Sequence, residues 1–174
     1  MTRHRRVDLI HALLRLPRAA VRLLALSLAL LAGHAMAATC SVSTPGVAFG
    51  GYDVFAAGAT TSSGSIKVSC STTGELFVQV NYAVTLSTGS SNSFVQRTMK
   101  NGADSLGYNL YTSNAYSTVW GDGTGSTATE TGSFTLWFFS PTGTATLTVY
   151  GRVPALQDVS VGNYSDNVTA TINW

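Results

Sequence analysis

The stretch LFVQVNYAVTLS, Leu76–Ser87, predicts the fold of this chain more clearly than any other segment. Apolar side chains occupy every second position within it, at Val78, Val80, Tyr82, Val84 and Leu86. Successive side chains of a β-strand point to opposite faces, so this period of two predicts a strand with one buried face. The segment therefore indicates a sheet that is covered on one side by a core.

The same alternation recurs along the chain, separated by clusters of Gly, Asn and Ser that are typical of turns. The further stretches are TCSV (39–42), GSIKVSCS (64–71), FVQRTMKN (94–101), SLGYNLYTS (105–113), GSFTLWFF (132–139), TATLTVYGRV (144–153) and NVTATINW (167–174). No segment has the pattern of an amphipathic helix. About seven strands at regular intervals predict a single all-β domain, with a β-sandwich favoured over a barrel.

The segment GNYSDNV, 162–168, favours an immunoglobulin-like sandwich. Tyr164 stands just before the last strand and follows Gly162, a residue that can turn the chain. A tyrosine at such a corner can donate a hydrogen bond to upstream backbone and fix the connection. The alternative is an ordinary tyrosine at the edge of the sheet.

Residues 1–37 differ in kind from the rest and are predicted to be a secretory signal peptide. Arginines in the first part precede the apolar run LLALSLALLAG, 23–33, and Ala35 and Ala37 have the A-x-A spacing of a cleavage site. The alternative is a membrane anchor, but the apolar run is shorter than the roughly 20 residues that span a bilayer. We expect cleavage after Ala37, a mature domain of residues 38–174, and no membrane span in it.

Cleavage changes the charge of the chain and the chemistry open to it. The full chain has a formal net charge of +2, whereas the mature part has four basic and seven acidic residues, a net charge of −3. This balance argues against a nucleic-acid partner. All three histidines lie in the first 37 residues, so the mature part has no Ser-His or Cys-His dyad and no histidine metal ligand. We expect no catalytic residues, cofactor or metal.

The mature part contains two cysteines, Cys40 and Cys70. An even pair in an exported chain predicts one disulfide, which would add roughly 3–4 kcal/mol by restricting the unfolded chain. The alternative is a redox or nucleophilic cysteine, which would need an activating neighbour that the sequence does not offer.

The loop WGDGTGS, 120–126, is the richest in glycine. Asp122 is a single carboxylate, too few for a calcium loop. Trp120, with Asp122 beside it, is a candidate for surface or sugar contact. The alternative is a tight connection between strands in which the glycines adopt positive φ.

Six stretches in order resemble the spore coat U domain family. They are CSVSTPGVAFGGYD (40–53), GSIKVSC (64–70), LGYNLYTS (106–113), VWGDGT (119–124), VYGRVPALQ (149–157) and VGNYSDNVTATINW (161–174). Members of this family are secreted spore-coat proteins and subunits of archaic, Csu-type chaperone–usher pili. The resemblance extends from Cys40 to Trp174.

The resemblance implies an incomplete immunoglobulin-like sandwich that lacks its final strand. Another chain would fill the resulting groove by strand addition, and Val168, Ala170, Ile172 and Trp174 would form one wall of it. The implied partners are a periplasmic pilus chaperone, an outer-membrane usher and other pilin subunits. The implied location is the periplasm in transit and then the cell surface or pilus.

One departure from the pilin pattern lies ahead of the first cysteine. A polymerising subunit would carry a donor strand of about ten residues there, but only Ala38 and Thr39 separate the expected cleavage site from Cys40. We therefore expect a subunit that accepts a strand and does not donate one, such as a tip or minor subunit. The alternative is an adhesin module that binds surface carbohydrate or a surface and is not part of a fibre, using aromatics such as Trp120 and Trp137. A secreted enzyme is the least favoured hypothesis.

Overall fold

The structure, a computed structural model, describes residues 38–174, and the predicted signal peptide lies outside this range. Ten strands are present: β1 Thr39–Gly46, β2 Thr60–Ser71, β3 Phe77–Leu86, β4 Arg97–Asn101, β5 Asp104–Tyr111, β6 Val119–Trp120, β7 Thr127–Ala128, β8 Glu130–Trp137, β9 Thr142–Val153 and β10 Ala170–Asn173. Within the described range the one helical segment is a 3-10 turn at Gly89–Ser91, and no helix is long and apolar enough to cross a membrane.

The strands form two sheets. The larger sheet has the order β1-β2-β9-β5-β6-β7, with β4 also paired to β5, and the smaller sheet has the order β10-β3-β8. Neighbouring strands are antiparallel except β6 and β7. The prediction of an all-β sandwich is confirmed. The edges that matter for the site are β1 in the larger sheet and β10 in the smaller one.

The core lies between the inner faces of the two sheets. On β3 the residues from Val80 to Leu86 alternate between buried and exposed or half-buried, as the sequence predicts. The other large buried side chains come from both sheets: Ile66, Val68, Leu106, Tyr108, Leu110, Trp120, Leu136, Val149 and Val153. On most strands their neighbours point to the other face and are exposed or half-buried, whereas on β5 Gly107 and Asn109 are buried as well.

The last strand is shorter than predicted. Half-buried and exposed residues alternate from Tyr164 to Asn173, but the ladder with β3 covers only Ala170–Asn173. The reason lies just upstream, where Ser165 forms a backbone bridge with Lys100 of β4 in the larger sheet. The chain therefore crosses from one sheet to the other between Ser165 and β10, and these crossing residues cannot pair fully with β3.

Candidate binding groove

A groove opens between the two sheets where the edges of β1 and β10 diverge. It encloses a cavity of about 400 Å³. One side is formed by the end of β1 and the residues after it, from Thr44 to Phe49, and the other by the segment from Tyr164 to Ala170. Its floor consists of apolar core side chains: Ile66, Leu86, Met99, Leu110 and Val149. Both β1 and β10 have one neighbouring strand each, so their outer backbone groups face this gap.

The four residues predicted to form one wall do not all lie in the groove. Val168 and Ala170 line the cavity, and Ile172 packs against the core further along. Trp174 is 57% exposed, and its indole N–H donates a 2.9 Å hydrogen bond to the carbonyl of Ala38. The prediction is therefore wrong for Trp174, whose hydrogen bond joins the two edges beyond the end of the cavity.

The corner before β10 is fixed by Tyr164. Its hydroxyl donates a 2.9 Å hydrogen bond to the carbonyl of Ser160, four residues upstream. Gly162 has no positive φ, so it does not serve as a left-handed turn residue. A Cβ at Gly162 would instead collide with the side chain of Asn101, so the residue is needed for close approach.

Tyr108 and Asp166 connect the larger sheet to the groove wall. The Tyr108 hydroxyl donates a 2.7 Å hydrogen bond to Asp166 Oδ2, and the other carboxylate oxygen accepts one from the Ser90 amide at 2.8 Å. Burial and this hydrogen bond raise the pKa of Tyr108 well above its ordinary value. The absence of a side chain at Gly89 leaves room for the carboxylate, because a Cβ there would overlap it. Asp166 thus positions the segment that carries Val168.

A buried arginine, which the sequence did not reveal, lies behind this connection. Arg97 is fully buried and donates to the carbonyls of Ser87 and Trp120 and to Asn109 Oδ1, at 2.6–2.9 Å. Burial lowers the pKa of Arg97, while the nearby Tyr108 and Asp166 oppose that shift. Arg97 ties together β4, β5, β6 and the end of β3. The one sequence signal for it is an arginine at an inward position of a strand, two residues before Met99.

The predicted disulfide is confirmed. Cys40 and Cys70 are bonded and lie directly opposite each other on β1 and β2. The covalent bond therefore attaches the edge strand β1 to its only neighbour in the sheet. This holds one border of the groove in place.

Trp120 is not a surface residue, and its prediction as a contact residue is wrong. It is 0% exposed, and its indole N–H donates to the Val84 carbonyl at 2.9 Å. Trp120 belongs to the short strand β6 and packs into the core, which the flanking glycine-rich loop conceals at the level of sequence. The loop itself is the tight connection offered as the alternative, with positive φ at Gly123 and Gly125.

Asp122 lies in that loop and makes hydrogen bonds within it. Its Oδ1 accepts hydrogen bonds from the backbone and hydroxyl of Thr124, and these lower the pKa of Asp122. Residues 38–174 contain no group of three or more His, Cys, Asp or Glu side chains that could hold a metal ion. Asp122 thus shapes the turn after Trp120.

An exposed aromatic patch lies at the end of the sandwich where β3 begins and β8 ends. It consists of Leu76, Phe77, Trp137, Phe138 and Phe139, each at least 50% exposed. Phe77 and Trp137 pair across the strands with ring centroids 5.2 Å apart. Phe138 and Phe139 occupy the two central positions of a turn closed by hydrogen bonds between Trp137 and Ser140. Turns usually carry Gly, Asn, Asp, Pro or Ser there, so two exposed phenylalanines are unusual.

Comparison with known proteins agrees with this architecture. A family model described as the Spore Coat Protein U domain matches residues 26–171. The chain therefore belongs to the spore coat protein U domain family, and the resemblance seen in the sequence is confirmed.

Solved structures share the fold. One of them is a chain of the crystal structure of the CsuC–CsuE chaperone–tip adhesion subunit pre-assembly complex from archaic chaperone-usher Csu pili of Acinetobacter baumannii. The TM-score is 0.52 at 19% sequence identity, and the match covers 79% of this chain and 40% of that chain. No curated protein matches the sequence.

Proposed function

We propose that this protein is a secreted structural subunit of an archaic chaperone–usher pilus or of a spore-coat-like surface structure. In this proposal the groove between β1 and β10 accepts a β-strand from another chain. The observation that carries the proposal is the open groove itself, with an apolar floor and two strand edges that face the gap. Family membership supports the same conclusion.

The proposed mechanism is strand addition. An incoming strand would form main-chain hydrogen bonds with the free edges of β1 and β10, and its alternate side chains would enter the cavity above Leu86 and Val149. An uncovered apolar groove between two edges favours aggregation. A periplasmic chaperone would therefore occupy the groove first, and a partner subunit would replace it during assembly at an outer-membrane usher.

Co-expression in the periplasm with an archaic pilus chaperone from the same organism tests this function. We expect a stable complex that is lost in Ala170→Arg, because Ala170 lines the cavity. Thr171→Arg is the matched control, since the neighbouring Thr171 is exposed. Both variants are first compared with the wild type by circular dichroism.

Hydrogen exchange gives the second measurement. We expect the backbone amides of β1 and β10 that point away from β2 and β3 to be protected in the complex and to exchange readily in the free protein. A stable free monomer in which both edges are already as protected as the central strand β2 would contradict the proposal.

We further propose a tip or minor position in the assembly. With the signal peptide cleaved after Ala37, Ala38 and Thr39 would be too few residues to fill the groove of a neighbouring subunit. The intact mass of the secreted protein locates its amino terminus. A terminus that leaves about ten or more residues ahead of Cys40 would remove the argument for this position.

A second candidate function is an adhesin module, and the aromatic patch favours it. Exposed apolar clusters of this kind commonly mark interaction sites. In this hypothesis the residues of the aromatic patch make the surface contact that the sequence assigned to Trp120, because Trp120 is buried. Phe138→Ser with Phe139→Ser should abolish attachment to apolar surfaces while chaperone binding is retained. Unchanged attachment would count against this function.

A further inference from the structure

A cluster of three tyrosines and one arginine lies on the outer face of the larger sheet, away from both the groove and the core. Tyr111 of β5 pairs directly with Tyr150 of β9, and Arg152 follows two positions along β9 on the same face. Tyr116 comes from the loop after β5, with its ring centroid 5.5 Å from that of Tyr111. The Arg152 guanidinium carbon lies 5.8 Å from the Tyr116 ring centroid. We call these four residues the tyrosine platform.

The backbone at Tyr116 is strained. Its φ is 52°, in the left-handed region that a bulky side chain rarely adopts. Two backbone hydrogen bonds hold the loop in this shape, from Thr112 N to the Thr118 carbonyl and from Tyr116 N to the Ser113 carbonyl. Strain of this kind persists where surrounding structure enforces it, and it clusters at binding sites. At this position it brings the Tyr116 ring beside Tyr111 and Arg152.

Hydroxyl side chains continue the same face along β2 and β9. Ser63 pairs with Tyr150, Ser65 with Thr148, and Ser69 with Thr144. Each hydroxyl can donate and accept a hydrogen bond, and a sheet spaces them regularly in two directions. Lys67 is the one charged side chain on this face of β2. A row of hydroxyls that ends at aromatic rings suits a chain of sugar units, which present hydroxyls at their edges and C–H groups at their faces.

Arg152 determines the charge of such a ligand. It is exposed, so its guanidinium is accessible to a ligand. A guanidinium binds carboxylates and sulfates with two parallel hydrogen bonds. The domain has a net charge of −3 over residues 38–174, so general attraction does not draw polyanions to it. A polyanion that binds must therefore use a local site.

From these observations we infer that the tyrosine platform is a binding site for an acidic polysaccharide. The rings of Tyr111, Tyr116 and Tyr150 would contact sugar faces, Arg152 would bind a uronate carboxylate, and the hydroxyl rows would extend the contact along the chain. This site is separate from the proposed strand-accepting groove and does not depend on it.

Affinity electrophoresis of the secreted, disulfide-bonded protein in gels that contain alginate, a polyuronate, or dextran, a neutral glucan, tests the inference. We expect retardation by alginate and much weaker retardation by dextran. Arg152→Gln should weaken alginate binding about tenfold, since a charge-assisted pair to a carboxylate is lost. Lys100→Gln is the matched control, because it removes the same charge from an exposed position on β4, outside the tyrosine platform and the hydroxyl rows.

Two further variants separate binding from folding. Tyr150→Phe keeps the ring and should bind nearly as well as the wild type, whereas Tyr150→Ser should bind much more weakly, with thermal melting confirming that both are folded. If the wild type shows no retardation by alginate, the inference is overturned. It is also overturned if Arg152→Gln and Lys100→Gln weaken binding equally, or if dextran binds as strongly as alginate. A neighbouring protein would then be the better candidate for this face.

Discussion

The Tyr108 hydroxyl and the Asp166 carboxylate lie 2.7 Å apart and join the larger sheet to the segment that leads into β10. The hydrogen bond links residues that are 58 positions apart in the sequence. It lies beside the cavity, since both residues line it. This contact, together with the Ser90 amide bond to Asp166 and the backbone bridge between Ser165 and Lys100, thus determines the geometry of one groove wall.

Removal of the Tyr108 hydroxyl should destabilise the protein. Tyr108→Phe deletes a hydrogen bond to a charged acceptor, and we expect a loss of about 1.5–3 kcal/mol in the free energy of unfolding. Urea unfolding at neutral pH measures it. Tyr82→Phe is the matched control, because Tyr82 is also buried and its hydroxyl has no hydrogen-bond partner among residues 38–174. Equal losses in the two variants would contradict the role given to Asp166.

The same contact should make stability sensitive to alkali. Burial, followed by the hydrogen bond to Asp166, raises the pKa of Tyr108 in the folded state above its ordinary value of about 10. Below about pH 10 both states keep the phenol proton and the stabilisation is complete. As pH rises above about 10 the unfolded chain loses the proton first, so the free energy of unfolding falls.

Unfolding curves at several alkaline pH values test this expectation. In Tyr108→Phe the free energy of unfolding should fall less steeply with rising pH. Part of the fall should remain, because burial and Glu130 also raise the pKa of Tyr82. The double variant with Tyr82→Phe should be flatter still. A decline identical to that of the wild type in Tyr108→Phe would exclude Tyr108 as its source.

Replacement of the buried Arg97 by lysine should destabilise the protein. One ammonium group cannot reproduce the planar guanidinium contacts to Ser87, Asn109 and Trp120. We expect Arg97→Lys to cost at least about 3 kcal/mol of unfolding free energy, since buried carbonyls lose their donors. The matched control is Arg152→Lys on the exposed outer face, with an expected change within about 0.5 kcal/mol. Thermal denaturation compares the two, and a stable Arg97→Lys protein would disprove the assignment.

The two tryptophans at the ends of β6 and β8 should behave differently. Trp120→Phe removes buried volume and the hydrogen bond to Val84, so we expect a loss of roughly 2–4 kcal/mol. Trp137→Phe changes a side chain that is 53% exposed, and stability should change by about 0.5 kcal/mol or less. Denaturation followed by tyrosine and tryptophan fluorescence measures both. Similar losses would contradict the difference in burial.

The strands could be predicted from the sequence because burial alternates along them. On β3 and β9 the inward positions are nearly all apolar, so the pattern and the structure agree. Short elements such as β6 have only two residues, too few for a period to be visible. The sequence pattern therefore groups Trp120 with the glycine-rich loop that follows it and does not reveal that it is buried.

The groove could be predicted only in part. Alternation in the last strand places Val168 and Ala170 on one face, and the family resemblance implies that this face lines a groove. The position of Trp174 instead depends on a hydrogen bond to Ala38, 136 residues away in the sequence. Arg97 and Asp166 are charged residues whose partners come from distant strands. Local pattern assigns such residues to the surface, because only tertiary contacts provide the donors and acceptors that allow their burial.

Between β9 and β10 the chain is held mostly by individual side chains instead of a ladder. The Gln157 amide pairs with both backbone groups of Gly107, and Tyr164 and Asp166 make the contacts described above. A ladder opens cooperatively, but contacts of this kind can break one at a time. Sub-global opening of this segment should therefore require less free energy than global unfolding. A few named hydrogen bonds therefore set the lifetime of the groove wall, and substitutions at these positions can change the rate at which this segment opens without altering the core.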